Sequence, residues 1–258
     1  MRVSLQLVMQ GPDEIDGAGW KLVLPPPRRR ELRDFRVAVM RTDPVSEVDQ
    51  TVQDRIQAVA DFLAKRKAKV SDTARPSIDT AELHRVYINL LRAATSGRQS
   101  DEEFQRNAET ARRLSPTDGS YYARMQRANT MSHRDWLGWN ERRHQLRLAW
   151  AEFFEEWDVL ICPAAASAAW PHDHVGERYE RTIEINGRRV PTTDQLFWAG
   201  YSCVAYLPAT VAPCGFTPSG LPVGVQIIGP QYGDRTTIHL AGLLEREFQA
   251  FVPPAGYE

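Results

Sequence analysis

Leu207-Pro-Ala-Thr-Val-Ala-Pro-Cys-Gly-Phe216, Thr217-Pro-Ser-Gly220 and Leu221-Pro-Val-Gly-Val-Gln-Ile-Ile-Gly-Pro230 follow one another in the chain. Two short apolar runs rich in β-branched residues flank a four-residue loop containing proline and glycine. The pattern predicts a hairpin of two buried strands, bounded by proline at both ends. Gly233-Asp234 comes next and opens an amphipathic helix, with Asp234 as the expected N-cap. The glycines also invite a phosphate-loop reading, but no Gly-Lys-Ser/Thr follows them, which argues against it.

Upstream of the hairpin, Asp158-Val-Leu-Ile-Cys-Pro163 reads as a short buried strand. It runs into a loop of small residues, Ala164 to Ala169, where a ligand or another backbone segment can approach closely. Thr182 to Val190 reads as a hairpin turning at Asn186-Gly187, the strongest two-residue turn signal. Asp194 to Gly200, with Phe197 and Trp198, reads as a short helix or turn leading into the opening stretch.

Further upstream the pattern is helical. Ser132, with Asp135 three residues on, starts a long helix whose stripe of Trp136, Trp139, Leu146, Trp150, Phe153 and Trp157 reads as core. Ser100 with Glu103 opens another helix, carrying Phe104, Ala108 and Ala111. Asp79 with Glu82 opens a third, carrying Leu83, Val86, Tyr87, Leu90 and Leu91. Before these, Phe35 to Met40 is a strand, and Ser46 with Asp49 suggests a capping box for the next helix. A second strand follows near Ala68 to Val70. Strand, helix and strand at this spacing predict a right-handed parallel crossover.

The N-terminal part reads differently. Residues 1 to 9 resemble the tail of a helix, with no N-cap before them and Gly11-Pro12-Asp13 after them. The expectation is that something N-terminal has been lost. Pro25-Pro26-Pro27-Arg28-Arg29-Arg30 reads as a stiff, basic, solvated connector. The expected organisation is a single domain over residues 1–258, with residues 1–34 a remnant helix and connector.

Bulk composition narrows the function classes. The 258 residues are 42% hydrophobic and 25% charged, ordinary for a globular domain. A net charge of -1 gives no electrostatic case for nucleic acid or an anionic membrane as partner. The apolar runs are too short to span a bilayer. The brief stretch Val3 to Met9 lacks a small-residue cleavage site, which argues against a secretory signal. Three cysteines beside apolar, Pro or Gly residues suggest buried thiols in a reducing cytoplasm.

Candidate chemistry is sparse. His172-Asp173-His174 could bind zinc with Cys162 or a carboxylate, or it could be a loop held by local hydrogen bonds; with no second cluster at ligand spacing, no metal is expected. Cys162 or Cys214 paired with a histidine could be a nucleophile, but each sits in an apolar, proline-flanked segment that favours a structural thiol. Glu155-Glu156 and Asp101-Glu102-Glu103 read as solvated helix faces. There is no Gly-x-Ser-x-Gly elbow, no Ser-x-x-Lys, and no Gly/Ser-rich loop to hold an oxyanion. The four lysines, Lys21, Lys65, Lys67 and Lys69, lie in a linker or at a helix end.

Taken together, Asp158 to Pro163, Leu207 to Phe216, Gly220 to Pro230 and Gly233-Asp234 resemble the C-terminal half of the amidase signature family. Gly11 to Asp16 and Leu32 to Val39 resemble the joint that follows that family's signature region. Asp194 to Gly200 looks like a subgroup variant, and Cys203 and Tyr206 depart from the Asn-x-x-Gly that many members carry before Pro-Ala. The resemblance implies an α/β fold with a mixed central sheet and helices on both faces. It implies amide hydrolysis through an acyl-enzyme, in which a serine attacks, a serine in a cis peptide relays the proton and a lysine acts as base. Those elements belong to the family's N-terminal half, so no catalytic residue is assigned in this chain.

What the resemblance leaves to this half is structural closure and part of a substrate pocket, with Pro163, Ala164, Trp170 and Trp198 as expected pocket residues and Gln226 as a structural amide. The expected substrate is a small-molecule amide, with no cofactor. Expected partners are the missing half or a second copy, with no nucleic acid and no membrane. A non-catalytic binding or assembly module derived from an amidase is the alternative.

Overall fold

The computed structural model describes residues 11–254 and 256. The stretch read as a helix tail, residues 1 to 9, lies outside the described residues apart from its boundary at Gly11. A five-stranded sheet organises the rest. Its strands are β1 (Arg36–Val39), β2 (Lys69–Ser71), β3 (Val159–Pro163), β6 (Ala209–Phe216) and β7 (Pro222–Ile228). A separate two-stranded ribbon comprises β4 (Thr182–Ile185) and β5 (Arg188–Pro191). The helices are α1 (Gln50–Lys65), α2 (Thr80–Thr95), α3 (Asp101–Arg113), α4 (Tyr121–Asn129), α5 (His133–Glu156), α6 (Leu196–Cys203) and α7 (Asp234–Glu247).

The strand order is β2-β1-β3-β7-β6. β1 is parallel to both β2 and β3, while β7 is antiparallel to β3 and β6. The sheet is therefore mixed, with the fully buried β3 at its centre. The opening stretch does form the expected hairpin, in register from Ala209 opposite Ile228 to Phe216 opposite Pro222. A bulge between Pro213 and Gly215 shifts that register, and Gly215 takes φ 122°, which glycine adopts without steric cost. Only one of the two strands is buried as expected. Among the described residues β7 lies inside the sheet, whereas β6 is at its edge and leaves Val211 56% exposed.

Alternation along β6 and β7 separates two helical layers. Thr210 hydrogen-bonds Thr237 of α7 at 2.8 Å, and α1 joins that layer through Phe62 and Phe248, whose ring centroids are 5.0 Å apart. Val211 and its register partner Gln226 point to the other face, where Gln226 meets α6. Trp150 of α5 packs edge-on to Tyr201 of α6, and Tyr87 of α2 lies against Gly200. A methyl group at Gly200 would sit 2.3 Å from the Tyr87 ring, so the close approach of α2 and α6 requires glycine.

Several local expectations are corrected. α1 begins at Gln50 with Asp49 as its N-cap, because Ser46 instead closes a tight turn back to Asp43. The N-cap of α7 is Gly233, and Asp234 is the first helical residue. α3 keeps its Ser100–Glu103 capping box, but its stripe is not core and Phe104 is 40% exposed. On α5 the buried residues are Leu146, Trp150, Phe153 and Phe154, with Trp157 just beyond; Trp136 and Trp139 are partly buried and pack against that core. Cys203 is exposed, unlike Cys162 and Cys214. Tyr206 stands at the left-handed position after α6 with φ 59°, a conformation in which a bulky side chain costs about 1–2 kcal/mol.

The Pro/Arg stretch is irregular and exposed at Pro25, Pro26, Arg28 and Arg30, yet its arginines tie it to the fold. Arg28 Nη1 donates to the carbonyls of Phe154 and Trp157 at 2.7 and 3.2 Å, satisfying the C-terminal end of α5. Arg29 and Arg36 both pair with the buried Asp158 at 3.0 Å. Burial alone would raise the Asp158 carboxyl, but hydrogen bonds from the Arg36 and Arg29 guanidiniums and the Arg36 N–H, with the charge of Arg36, together hold the group below its ordinary range. The arginines thus fasten the start of β3, which positions its far end.

Candidate functional site

β3 ends at Pro163, and the chain leaves the sheet in the loop that follows. In open α/β sheets this carboxyl end of a central strand is where ligands bind. Gln226 fixes the exit. Its Nε2 donates to the Trp198 carbonyl at 3.1 Å and lies 3.3 Å from Cys162 Sγ and 3.4 Å from the Pro163 carbonyl. Its Oε1 accepts from the Ser202 hydroxyl at 3.1 Å. One buried amide therefore joins β7, the end of β3 and α6, and its hydrogen-bonding capacity is used there.

The next residues are also fixed. Ala166 donates its N–H to Gln195 Oε1 at 2.6 Å, and Gln195 Nε2 donates to Ser167 Oγ at 3.0 Å. The Ala166 carbonyl accepts from the Asp49 N–H at 2.7 Å. The tip of the β4–β5 ribbon docks on the start of α1, where Asn186 Oδ1 accepts from the Gln50 N–H at 2.8 Å. Asn186 and Gly187 take φ 50° and 75°, as the Asn-Gly turn requires.

Beyond Ser167 the loop opens along a cavity of about 750 Å³. Its wall combines Asp49 and Thr51 from the start of α1, the loop from Ser167 to Asp173, Ile183 and Glu184 of β4, Arg189 of β5, and the hairpin turn at Thr217 to Leu221. Trp170 stands on this wall, 43% exposed. The lining is mixed: an indole and aliphatic groups offer apolar contact, while carboxylates, hydroxyls and one guanidinium offer hydrogen bonds.

The four expected pocket residues separate in the structure. Trp170 lines the cavity. Pro163 is buried at the end of β3 and Ala164 is half-buried, and neither lines the cavity. Trp198 is fully buried, with its ring against Phe197 at 4.9 Å, and its contribution to the loop is the backbone carbonyl that Gln226 engages. Sequence reasoning missed Asp49, Ile183, Glu184, Arg189 and Thr217 as wall residues. The Asn186-Gly187 signal marked a hairpin, but nothing in it told where the hairpin would dock.

The cysteine and histidine candidates do not form a nucleophile. Cys162 is fully buried, and desolvation pushes its thiol up to about 12. Desolvation likewise pushes Cys214 up to about 12. A thiol at that level is not ionised near neutrality and is inert as an attacking group. His172 and His174 are exposed in an irregular loop rather than on a strand, with ring centroids 5.6 Å apart. Among the described residues, no three His, Cys, Asp or Glu side chains come together to hold a metal ion. What this arrangement can do is bind and orient: it supplies a shaped wall whose loop is fixed from behind.

Known proteins share this architecture. The model of the Amidase family matches residues 8–238. The chain is 34% identical over 123 residues to the chloroplastic/mitochondrial A-subunit of the glutamyl-tRNA(Gln) amidotransferase of Sorghum bicolor, covering 44% of this chain and 21% of that protein. It is 25% identical over 245 residues to the corresponding Vitis vinifera protein, covering 87% of this chain and 43% of that one. The structure of the Thermotoga maritima A-subunit superposes with a TM-score of 0.66 at 17% identity, over 99% of this chain and 53% of its own. A bacterial aryl acylamidase of the amidase signature enzymes superposes with a TM-score of 0.65 at 18% identity, over 93% of this chain and 49% of its own. The chain thus spans about half the length of these solved structures and less than half of these curated relatives. With the family model matching most of its length and the mixed sheet superposing on solved members, the chain belongs to the amidase signature family.

Proposed function

We propose that this chain is the pocket-forming half of an amide hydrolase, active when completed by the half of the amidase fold that carries the nucleophile and base. The observation that carries this reading is the cavity at the carboxyl end of β3, in a chain of the amidase family. In the completed enzyme a small-molecule amide rests against Trp170, with Pro163 and Ala164 setting the loop behind it. The serine, its proton-relaying neighbour and the lysine come from the other half, whether joined to this chain or separate. This half contributes substrate position, which lowers the barrier by holding the amide near the nucleophile. A cytoplasmic setting belongs to the same reading and is supported by three free thiols.

The test is turnover of an arylamide series by this chain alone and with the other half supplied. Hydrolysis is expected only in the second case. Robust hydrolysis by residues 1–258 alone would overturn the proposal. A second reading draws on the curated relatives, which are A-subunits of an amidotransferase. On it the hydrolysed amide is that of glutamine and the ammonia passes to an assembled partner. Glutamine turnover exceeding arylamide turnover in the completed enzyme would favour that reading. A non-catalytic assembly role would show as partner binding with no turnover of either substrate.

A further inference from the structure

The arginines that hold this fold answer carboxylates or backbone carbonyls. Arg29 and Arg36 pair with Asp158, and Arg85 of α2 pairs with Glu82 at 2.6 Å. Two others do not. Arg92 of α2 is half-buried, and Arg178 opens the short turn Arg178–Glu180 that precedes β4. Neither forms an ion pair among the described residues.

The two guanidiniums are brought together by adjacent aromatic contacts. Arg92 Nη2 donates to the Tyr121 hydroxyl of α4, and its Cζ lies 5.3 Å from the centre of that ring. Its Nε is buried with no hydrogen-bond partner among the described residues. The Tyr179 ring, next to Arg178, packs on Tyr122, next to Tyr121, with centroids 4.9 Å apart. The carboxylates beside Arg178 are already engaged, since Glu177 and Glu180 each cap the other's backbone N–H within the turn. Desolvation first, and then the charge of Arg178, hold the Arg92 guanidinium below its ordinary pKa. What is left over is a buried N–H donor and two positive charges without a counter-charge. A dianion with several oxygens meets all three needs, replacing repulsion with charge-assisted bonds to both forks. A monocarboxylate balances only one of the two charges.

We propose that Arg92 and Arg178 form a binding site for a free phosphate-like oxyanion, which ties the turn Arg178–Glu180 to α2. That turn closes the loop that carries Trp170, so the bound anion holds the far end of the loop as Gln195 holds its near end at Ser167. The site needs no catalysis and stands or falls apart from the amidase reading.

The test follows melting of the full chain against inorganic phosphate at constant ionic strength, with chloride as the balancing anion. A saturable rise is expected, of roughly 5 °C once phosphate exceeds its dissociation constant a hundredfold. Arg178→Gln should weaken the apparent affinity by roughly tenfold or more, with melting in chloride unchanged because the side chain is exposed. Arg92→Lys keeps the charge and loses the fork, and should weaken it too. Arg134→Gln, at the exposed start of α5, should leave it unchanged. The site would be overturned by the lack of a saturable rise, by an affinity that survives both Arg178→Gln and Arg92→Lys, by equal loss in Arg134→Gln, or by acetate acting as strongly as phosphate. Chymotryptic cleavage after Trp170 should slow with phosphate in the parent chain and not in Arg178→Gln; equal cleavage would overturn the tie to the loop. With the other half of the fold supplied, the phosphate dependence should persist. Its disappearance would mean that the other half brings the counter-charge, and would overturn the free-anion site.

Discussion

The chain leaving β3 divides into two stretches of opposite treatment, one of small residues and one that carries Trp170, His172 and His174. From Pro163 to Ser167 the chain is held from three sides: by the Gln226 side chain of β7, by the Gln195 side chain just before α6, and by the backbone N–H of Asp49 before α1. From Ala168 to His174 no such clamp operates among the described residues; Trp170 and His172 face the cavity, and Asp173 accepts from the local N–H of Val175. The two stretches divide the labour. The first supports the fold and sets the exit angle, while the second is left available to a ligand. A rigid inner stretch is what allows the outer one to present a side chain at a defined place.

That contrast can be broken most forcefully at the α6 platform. Gly200→Ala places a methyl group inside the Tyr87 ring, and neither α2 nor α6 can move without disturbing Trp198 and Ser202. A loss of about 3 kcal/mol is expected, read as a lower urea midpoint. Gln226→Leu keeps the volume roughly but strands the Trp198 carbonyl and the Ser202 hydroxyl in a buried site. Its cost should be roughly 2 kcal/mol by the same measurement. A midpoint within error of the parent chain would mean that the inner stretch is not held by this amide.

Acid offers a milder way to loosen the same platform. His84 of α2 packs its ring 6.0 Å from Phe197 of α6, and its Nδ1 is buried without a partner among the described residues. Desolvation first, and then the nearby Arg124 cation, push its pKa down to about 4. The unfolded chain therefore binds the proton more readily, between its ordinary pKa and about 4. Stability from this group is complete above that window and falls as pH drops through it, by about 1–3 kcal/mol in all. His84→Phe should flatten that part of the stability profile relative to the parent chain, and an unchanged slope would contradict the assignment.

Much of the fold was legible because its signals are local. The Pro-flanked β-branched runs, the Asn186-Gly187 turn and the Ser100–Glu103 box each act over a few residues, and each formed. The errors came where distant partners decide. Pro25 to Arg30 looks like a linker until Asp158 and the end of α5 are brought to it. The Phe104 stripe looks like core until α3 is seen to bury none of it. The hairpin looks doubly buried until β6 proves to be an edge among the described residues. The site was legible in part for the same reason. Trp170 lies on the loop that the sequence marks, but Trp198, equally aromatic and nearer in sequence to the hairpin, turns inward. Asp49, Glu184 and Arg189 reach the wall only through docking of the β4–β5 ribbon on α1.

The division of the loop is tested most directly by Trp170→Ala in the completed enzyme, with KM and the melting temperature measured together. KM should rise several-fold, with stability changed by no more than about 0.5 kcal/mol because the indole is half-exposed and packs on the cavity side. A lowered melting temperature with KM unchanged would place Trp170 among the fold's supports and contradict that division.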